Sequence, residues 1–184
     1  MVGKLVLVRH SAPLIEEGVP QSRWRLSQQG REAARVLGGH LQAFDAPTIW
    51  SSTERKALET AEVLASVLGR PIREAPDLRE HERSSLGYMG KPQLEAGVER
   101  LLPSDYELVF GDETARLVLE RMGRAIQVAT DVAGGRDVLA VTHGTAAAIF
   151  VGRHFAVDPL SFWRSLRAPA AIVLDGDRIE RVIQ

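Results

Sequence analysis

Apolar residues fall along this chain in two kinds of run. Residues 4–8, Lys-Leu-Val-Leu-Val, form a short aliphatic block with almost no polar interruption, and residues 137–142, Asp-Val-Leu-Ala-Val-Thr, form another. Blocks of this kind read as strands buried on both faces of a mostly parallel sheet. Residues 48–51 read as a short second strand and residues 71–76 as a short edge strand. Other stretches repeat apolar positions at helical spacing. Ser27 reads as the N-cap of a helix carrying Ala33, Leu37, Leu41 and Phe44, ended by Asp45-Ala46-Pro47. Ser52-Thr53 reads as the cap of the next, with Ala57, Leu58, Ala61, Leu64, Ala65 and Leu68 on one face; Gly69 and Pro71 stop it. A long stripe from Ala115 to Val132 precedes Gly134-Gly135, and a small-residue helix follows from Thr145 to about Gly152. The tail, residues 170–174 and 179–183 around Asp175-Gly176, reads as a hairpin. Strands alternating with helices predict an α/β fold, a three-layer α/β/α sandwich around a mostly parallel central sheet.

Three stretches lack periodicity. Residues 11–25, with Pro13, Gly18 and Pro20, form a loop long enough to be functional or mobile, which Trp24 could anchor. Residues 77–83 are too charged for a core, Leu78 excepted. Residues 84–111 carry Gly87, Gly90, Pro92, Gly97 and Pro103 and read as an insertion covering the sheet edge, with a short helix around 94–102. No repeat or linker divides the 184 residues, so a single domain is expected.

Composition narrows the chemistry. The formal net charge is −1, so no overall basic field draws in nucleic acid or anionic lipid, and an anion site must be a local cluster. There is no cysteine, which removes disulfides, thiolate chemistry and cysteine-based zinc sites together. No apolar run is long enough to span a bilayer, and no cleavage site precedes the first strand; a cytoplasmic location is the expectation. Oligomeric state has no sequence signal here.

The local cluster lies at strand ends, beyond whose carboxyl termini open α/β sheets bind ligands. The first strand stops at Arg9-His10, Arg55 falls in the first turn of a helix just past another strand, and the strand at 137–142 stops at His143-Gly144. Guanidinium and imidazole groups at one edge, beside a helix N-terminus, suit a phosphoryl group.

These residues carry a resemblance. The chain resembles the histidine phosphatase superfamily, which includes cofactor-dependent phosphoglycerate mutases and many small phosphatases. The family's strand ending in Arg-His-Gly appears as Leu7-Val8-Arg9-His10-Ser11, and its Leu-Ser-x-x-Gly helix start as Leu26-Ser27-Gln28-Gln29-Gly30. Its Ser-Ser-x-x-Arg-Ala-x-x-Thr-Ala element is matched by residues 51–61 with one extra residue between Arg55 and Thr60. Leu78-Arg79-Glu80 matches the Leu-x-Glu acid motif, Gly111-Asp112-Glu113-Thr114 is an altered Gly-Glu-Ser element, and Val141-Thr142-His143-Gly144 carries the second histidine. The matches follow the family's order over about residues 4–153. Ser11 replaces the family glycine, either adding a hydroxyl donor or tightening the pocket, and His81-Glu82-Arg83 replaces a Gly-rich pattern.

The resemblance implies a phosphoglycerate mutase-like fold and a phosphatase with no cofactor. His10 would be the nucleophile and Glu80 the proton donor, with Glu82 a competitor for that role. Arg9, Arg55, His143 and Ser11 would bind the phosphate, and two nearby arginines would keep His10 neutral. Arg121 would form a buried ion pair. His81 reads as a pocket residue or an exposed one, while His40 and His154 read as structural. No metal is expected, because His10 and His143 lack a third ligand and guanidinium groups would repel a cation. A serine hydrolase is disfavoured by the lack of a G-x-S-x-G elbow. Residues 84–111 hold only Lys91 and Arg100 as cations, fewer than a mutase needs to grip a second anionic group, so hydrolysis of a small phosphorylated metabolite is the expected activity. A mutase, a phosphohistidine protein phosphatase and an idle phospho-ligand binding module remain alternatives.

Overall fold

A computed structural model describes residues 3–184. Strand β1 (Leu5–Arg9) lies inside a six-stranded sheet. On one side of it come β4 (Val138–Thr142), β2 (Ile49–Ser51) and the edge strand β3 (Ile72–Glu74), each parallel to its neighbour. On the other side an antiparallel hairpin, β5 (Ala170–Asp175) and β6 (Arg178–Ile183), completes the order β3-β2-β4-β1-β5-β6. Every residue of β4 is buried, as a strand covered on both faces requires.

Alternate residues of each strand feed opposite layers. Val6, Val8, Leu139, Val141, Ala171 and Val173 pack with α1 (Gln28–His40) and α2 (Arg55–Leu68). Leu7, Ala140, Ile172 and Leu174 point the other way, toward α4 (Ala115–Ala133) and α5 (Gly144–His154). The two faces make the three-layer arrangement. Ser27 caps α1 by accepting from the Gly30 N–H at 3.0 Å, and Gly69 ends α2 in the left-handed conformation at φ 64°. Among the described residues no helix is long and apolar enough to cross a membrane.

The insertion differs from its expected position. Its helix, α3 (Lys91–Leu101), starts three residues earlier than the apolar pattern indicates, because Pro92 is placed in the first turn, where its missing N–H costs nothing. Val98, Leu101 and Leu102 enter the core shared by α4 and α5, so the segment covers a face of the fold rather than the sheet edge. A further helix, α6 (Pro159–Ser165), packs Leu160, Phe162 and Trp163 against the same core.

Candidate active site

Strand register builds the site. Arg9 pairs with Thr142 across β1 and β4, so the following residues, His10 and His143, leave the sheet side by side. Their rings meet edge to face with centroids 5.1 Å apart. Ser51 pairs with Val141, which brings Ser52 and the start of α2 to the far side of His143.

His10 is buried, with Nδ1 2.8 Å from the Ser11 carbonyl. A carbonyl can only accept, so the neutral ring keeps its proton on Nδ1 and its lone pair on Nε2. Burial, then His143, Lys56 and Arg9, hold the pKa of His10 well below its usual value, so it is a free base at neutral pH. His143 is fully buried, with Nε2 2.8 Å from Ser52 Oγ; burial lowers its pKa to about 4 despite Glu54 and Glu80 nearby. Arg9 donates through Nη1 to the Leu166 carbonyl, and its Nε is buried without a partner. Gly144 makes room for it, since a Cβ there would lie 3.1 Å from Arg9 Nε.

Two expected phosphate ligands point elsewhere. The Ser11 hydroxyl donates to the Gly30 carbonyl at 2.6 Å and its N–H to Thr60 Oγ1 at 3.0 Å, so both polar groups are committed to the α1 and α2 framework. The Arg55 side chain is 46% exposed and donates to Glu59 at 2.7 Å, where it shares that buried carboxylate with Arg31. The cation that turns inward is Lys56. It is buried, with Nζ 2.6 Å from Glu54 Oε2 and 2.9 Å from the Gln21 carbonyl. Adjacent helical residues project about 100° apart, so only one of the two can face the histidines. The motif held the signal: reading its extra residue ahead of the cation rather than behind gives Lys56-Ala57-Leu58-Glu59-Thr60-Ala61. Glu54, unassigned by sequence reasoning, lies 3.6 Å from His143 Nε2 and accepts the Glu80 N–H at 2.8 Å. Burial favours its neutral acid, yet His143, Lys56 and that N–H bring its pKa down to about 2.

Glu80 is reached through a clamped loop. Its carboxylate accepts the Ala146 N–H at 2.9 Å and the Thr145 N–H at 3.2 Å, capping the N-terminus of α5. Arg83 lies 3.7 Å from Oε2. Burial is outweighed by Arg83, His143 and the N–H donors, so Glu80 is held well below the usual carboxylate range. Glu82 instead turns its carboxylate to the exposed Ser84 N–H at 3.0 Å. Arg121, only 2% exposed, pairs with Glu113 at 2.6 Å and donates to the carbonyls of Asp77, Arg79 and Glu80. Glu113 also accepts the Glu82 N–H at 2.8 Å. Gly111 lets the chain pass: at φ 71° a Cβ there would lie 2.6 Å from the His81 ring. His81 is buried rather than exposed, stacked on Phe110 with Nε2 2.8 Å from the Glu113 carbonyl. Trp24 anchors the loop at residues 11–25 by donating to the carbonyls of Val19 and Glu16 at 3.0 and 3.1 Å.

A cavity of about 530 Å³ opens here, lined by Gly18–Ser22 from that loop, Glu54, Lys56, Glu80–Ser84 and Tyr88. Its inner wall, Glu54 and Lys56, borders the histidine pair. Among the described residues no group of three or more His, Asp or Glu side chains converges as metal ligands would.

The fold has relatives among solved structures. The mycobacterial glucosyl-3-phosphoglycerate phosphatase in complex with inorganic phosphate superposes with a TM-score of 0.75 at 22% identity, covering 100% of this chain and 96% of that one. The phosphoglycerate mutase of Bacillus anthracis str. Sterne gives 0.76 at 19%, covering 99% and 92%. YhfR of Bacillus stearothermophilus gives 0.75 at 23%, covering 97% and 95%. No curated protein sequence matches significantly. The sequence profile of the histidine phosphatase superfamily (branch 1) matches residues 5–176. With that profile spanning nearly the whole chain, the protein belongs to the histidine phosphatase superfamily.

Proposed function

We propose that this enzyme hydrolyses a small phosphomonoester through a phosphohistidine on His10. The observation that carries the reading is the Nδ1 contact to the Ser11 carbonyl, which leaves Nε2 as the lone-pair nitrogen of a buried, neutral ring. Nε2 attacks phosphorus in line as the ester P–O bond breaks. Arg9, Lys56 and His143 hold the non-bridging oxygens, with Lys56 in the role expected of Arg55. Glu80 protonates the leaving oxygen, then takes a proton from the water that cleaves the N–P bond. Positioned proton transfer of this kind is typically worth about 10²–10⁴ in rate. Glu80 is anionic in the free protein, so the first step needs a proton that a monoester monoanion can deliver, its second pKa being about 6.

Hydrolysis is favoured over a mutase reaction by the placement of the insertion's two cations. Lys91 and Arg100 are exposed on α3, Lys91 beside Glu95, and neither lines the cavity. We place the enzyme in the cytoplasm, where small phosphorylated metabolites are found. The test is a panel of such metabolites assayed for phosphate release without bisphosphoglycerate. Release from at least one is expected. Negligible release alongside fast interconversion of 3- and 2-phosphoglycerate would make the protein a mutase.

A further inference from the structure

The charges around the histidine pair leave one residue unaccounted for. His10 and His143 are both neutral at pH 7, so neither attracts an anion by charge. Arg9 and Lys56 are cations, but Glu54 and Glu80 are carboxylates in the same buried space and offset them. Without another positive group, a phosphoryl group carrying up to two negative charges would enter a site with no net attraction for it. Arg55, the expected second guanidinium, faces outward.

Arg83 supplies the missing charge. Its side chain is 11% exposed and lines the cavity next to Glu80. Its bonding is incomplete. Nη1 reaches the His81 carbonyl at a long 3.3 Å, Nη2 lies 3.7 Å from Glu80 Oε2, and Nε is buried without a partner. A buried guanidinium with unused donors is costly unless something arrives to accept from it. Among the described residues lining the cavity it is the only arginine.

We propose that Arg83 is a catalytic residue of this site: its guanidinium contacts the phosphoryl group of the bound substrate and in turning to it leaves Glu80 to take up a proton. The proposal rests on the phosphatase reading and extends it. In the free protein Arg83 keeps Glu80 a carboxylate. When the phosphoryl group arrives, the same guanidinium accepts a stronger anionic partner. A proton carried by the substrate monoanion then passes to Glu80, the phosphoryl group becoming the dianion as the carboxylate becomes the acid. The groups facing Glu80 are Arg83 and His81 on its own loop, His143 after β4, Arg9 at the end of β1, Glu54 and Lys56 at the start of α2, and the Thr145 and Ala146 N–H groups of α5. Glu82 lies farther out, on Ser84.

Two measurements test this on the full chain. The first is calorimetric binding of inorganic phosphate, which needs no turnover. Arg83→Gln should weaken it by about 10- to 100-fold, and Arg83→Lys, which keeps the charge, by much less. The second is the titration of the Glu80 carboxyl by NMR, in the free protein and with inorganic phosphate bound. An opposite charge at this range lowers a carboxyl pKa by about 1–3 units, so Arg83→Gln should raise the Glu80 pKa of the free protein by about that much, and phosphate bound to the wild type should raise it too. Unchanged phosphate affinity, or equal losses in both variants with the free-protein titration unmoved, would overturn the proposal. Should Arg83→Gln not fold, a structure of the wild-type protein with inorganic phosphate decides: a guanidinium nitrogen on a phosphate oxygen supports the proposal, and an Arg83 still turned to Glu80 refutes it. A wild-type protein that binds phosphate through Arg83 yet hydrolyses no monoester would contradict only the hydrolase reading.

Discussion

Lys56 takes the inward position expected of its neighbour, and the difference is one step around a helix. Arg55 and Lys56 are both cations in the first turn of α2, and sequence alone cannot say which faces the cavity. The structure separates them: one is buried beside Glu54, the other is half exposed on Glu59. Lys56→Ala should therefore cut kcat/KM by about 10²–10³, the usual cost of removing one group that stabilises developing charge. Arg55→Ala should leave kcat/KM within about twofold and cost about 1–3 kcal/mol in stability, since the buried Glu59 carboxylate loses one charged donor but keeps Arg31 and the Leu26 N–H. Steady-state kinetics and denaturant melts of the two variants check this. The reverse pattern would return the role to Arg55. Ser11 makes a similar point. Its hydroxyl was legible as a donor in the sequence, but not the Gly30 carbonyl, nineteen positions away, that takes it.

Among the elements, the acid loop is held from outside itself. Three loop carbonyls and the Glu113 carboxylate converge on Arg121, in the second turn of α4, and Glu113, just ahead of that helix, also receives the Glu82 N–H. Arg121→Met would leave Glu113 buried without its partner, a change worth about 3–5 kcal/mol, and should also lower kcat by releasing Glu80. Thermal melts and kinetics together report both. Within the loop, Glu80→Gln should slow poor leaving groups far more than an activated aryl phosphate in the phosphorylation step, while Glu82→Gln should be nearly neutral, since its carboxylate serves Ser84. A strong leaving-group dependence in Glu82→Gln alone would transfer the role. What was legible at this scale followed from periodicity. β1 and β4 announce themselves as unbroken aliphatic runs, and α1, α2 and α4 as apolar stripes, although α2 begins after Glu54 rather than at the expected Ser52-Thr53 cap. α6 has seven residues, too few to establish a period, and the start of α3 is masked by Gly90 and Pro92. Arg121 could be read as one half of an ion pair, but the loop carbonyls it gathers are long-range contacts that no local pattern encodes.

For the whole molecule, burying two neutral histidines and several ionised carboxylates makes stability depend on pH in one direction. His143 falls from the usual 6.5 to about 4 in the folded state, so between those values the unfolded chain binds a proton that the folded one does not. Stability present above pH 6.5 is therefore lost as pH drops toward 4, by about 3 kcal/mol from this residue, and His10 acts in the same direction. Glu54, held at about 2, adds its own loss below about pH 4.5. Urea melts at pH 7.5, 6 and 4.5 should show a steady decline beginning just below 6.5, and a flat profile across that range would mean the histidines are not neutral in the fold. The same neutrality leaves His10 the free lone pair that the proposed phosphohistidine needs, and that is where the decisive measurement lies. Wild-type protein mixed with a radiolabelled phosphomonoester and quenched in base should carry up to one phosphoryl group per chain, stable to alkali, released by acid, and mapping to His10. His10→Ala should carry none and turn over nothing. Label that survives acid, or a His10→Ala variant with near wild-type activity, would contradict the covalent mechanism outright.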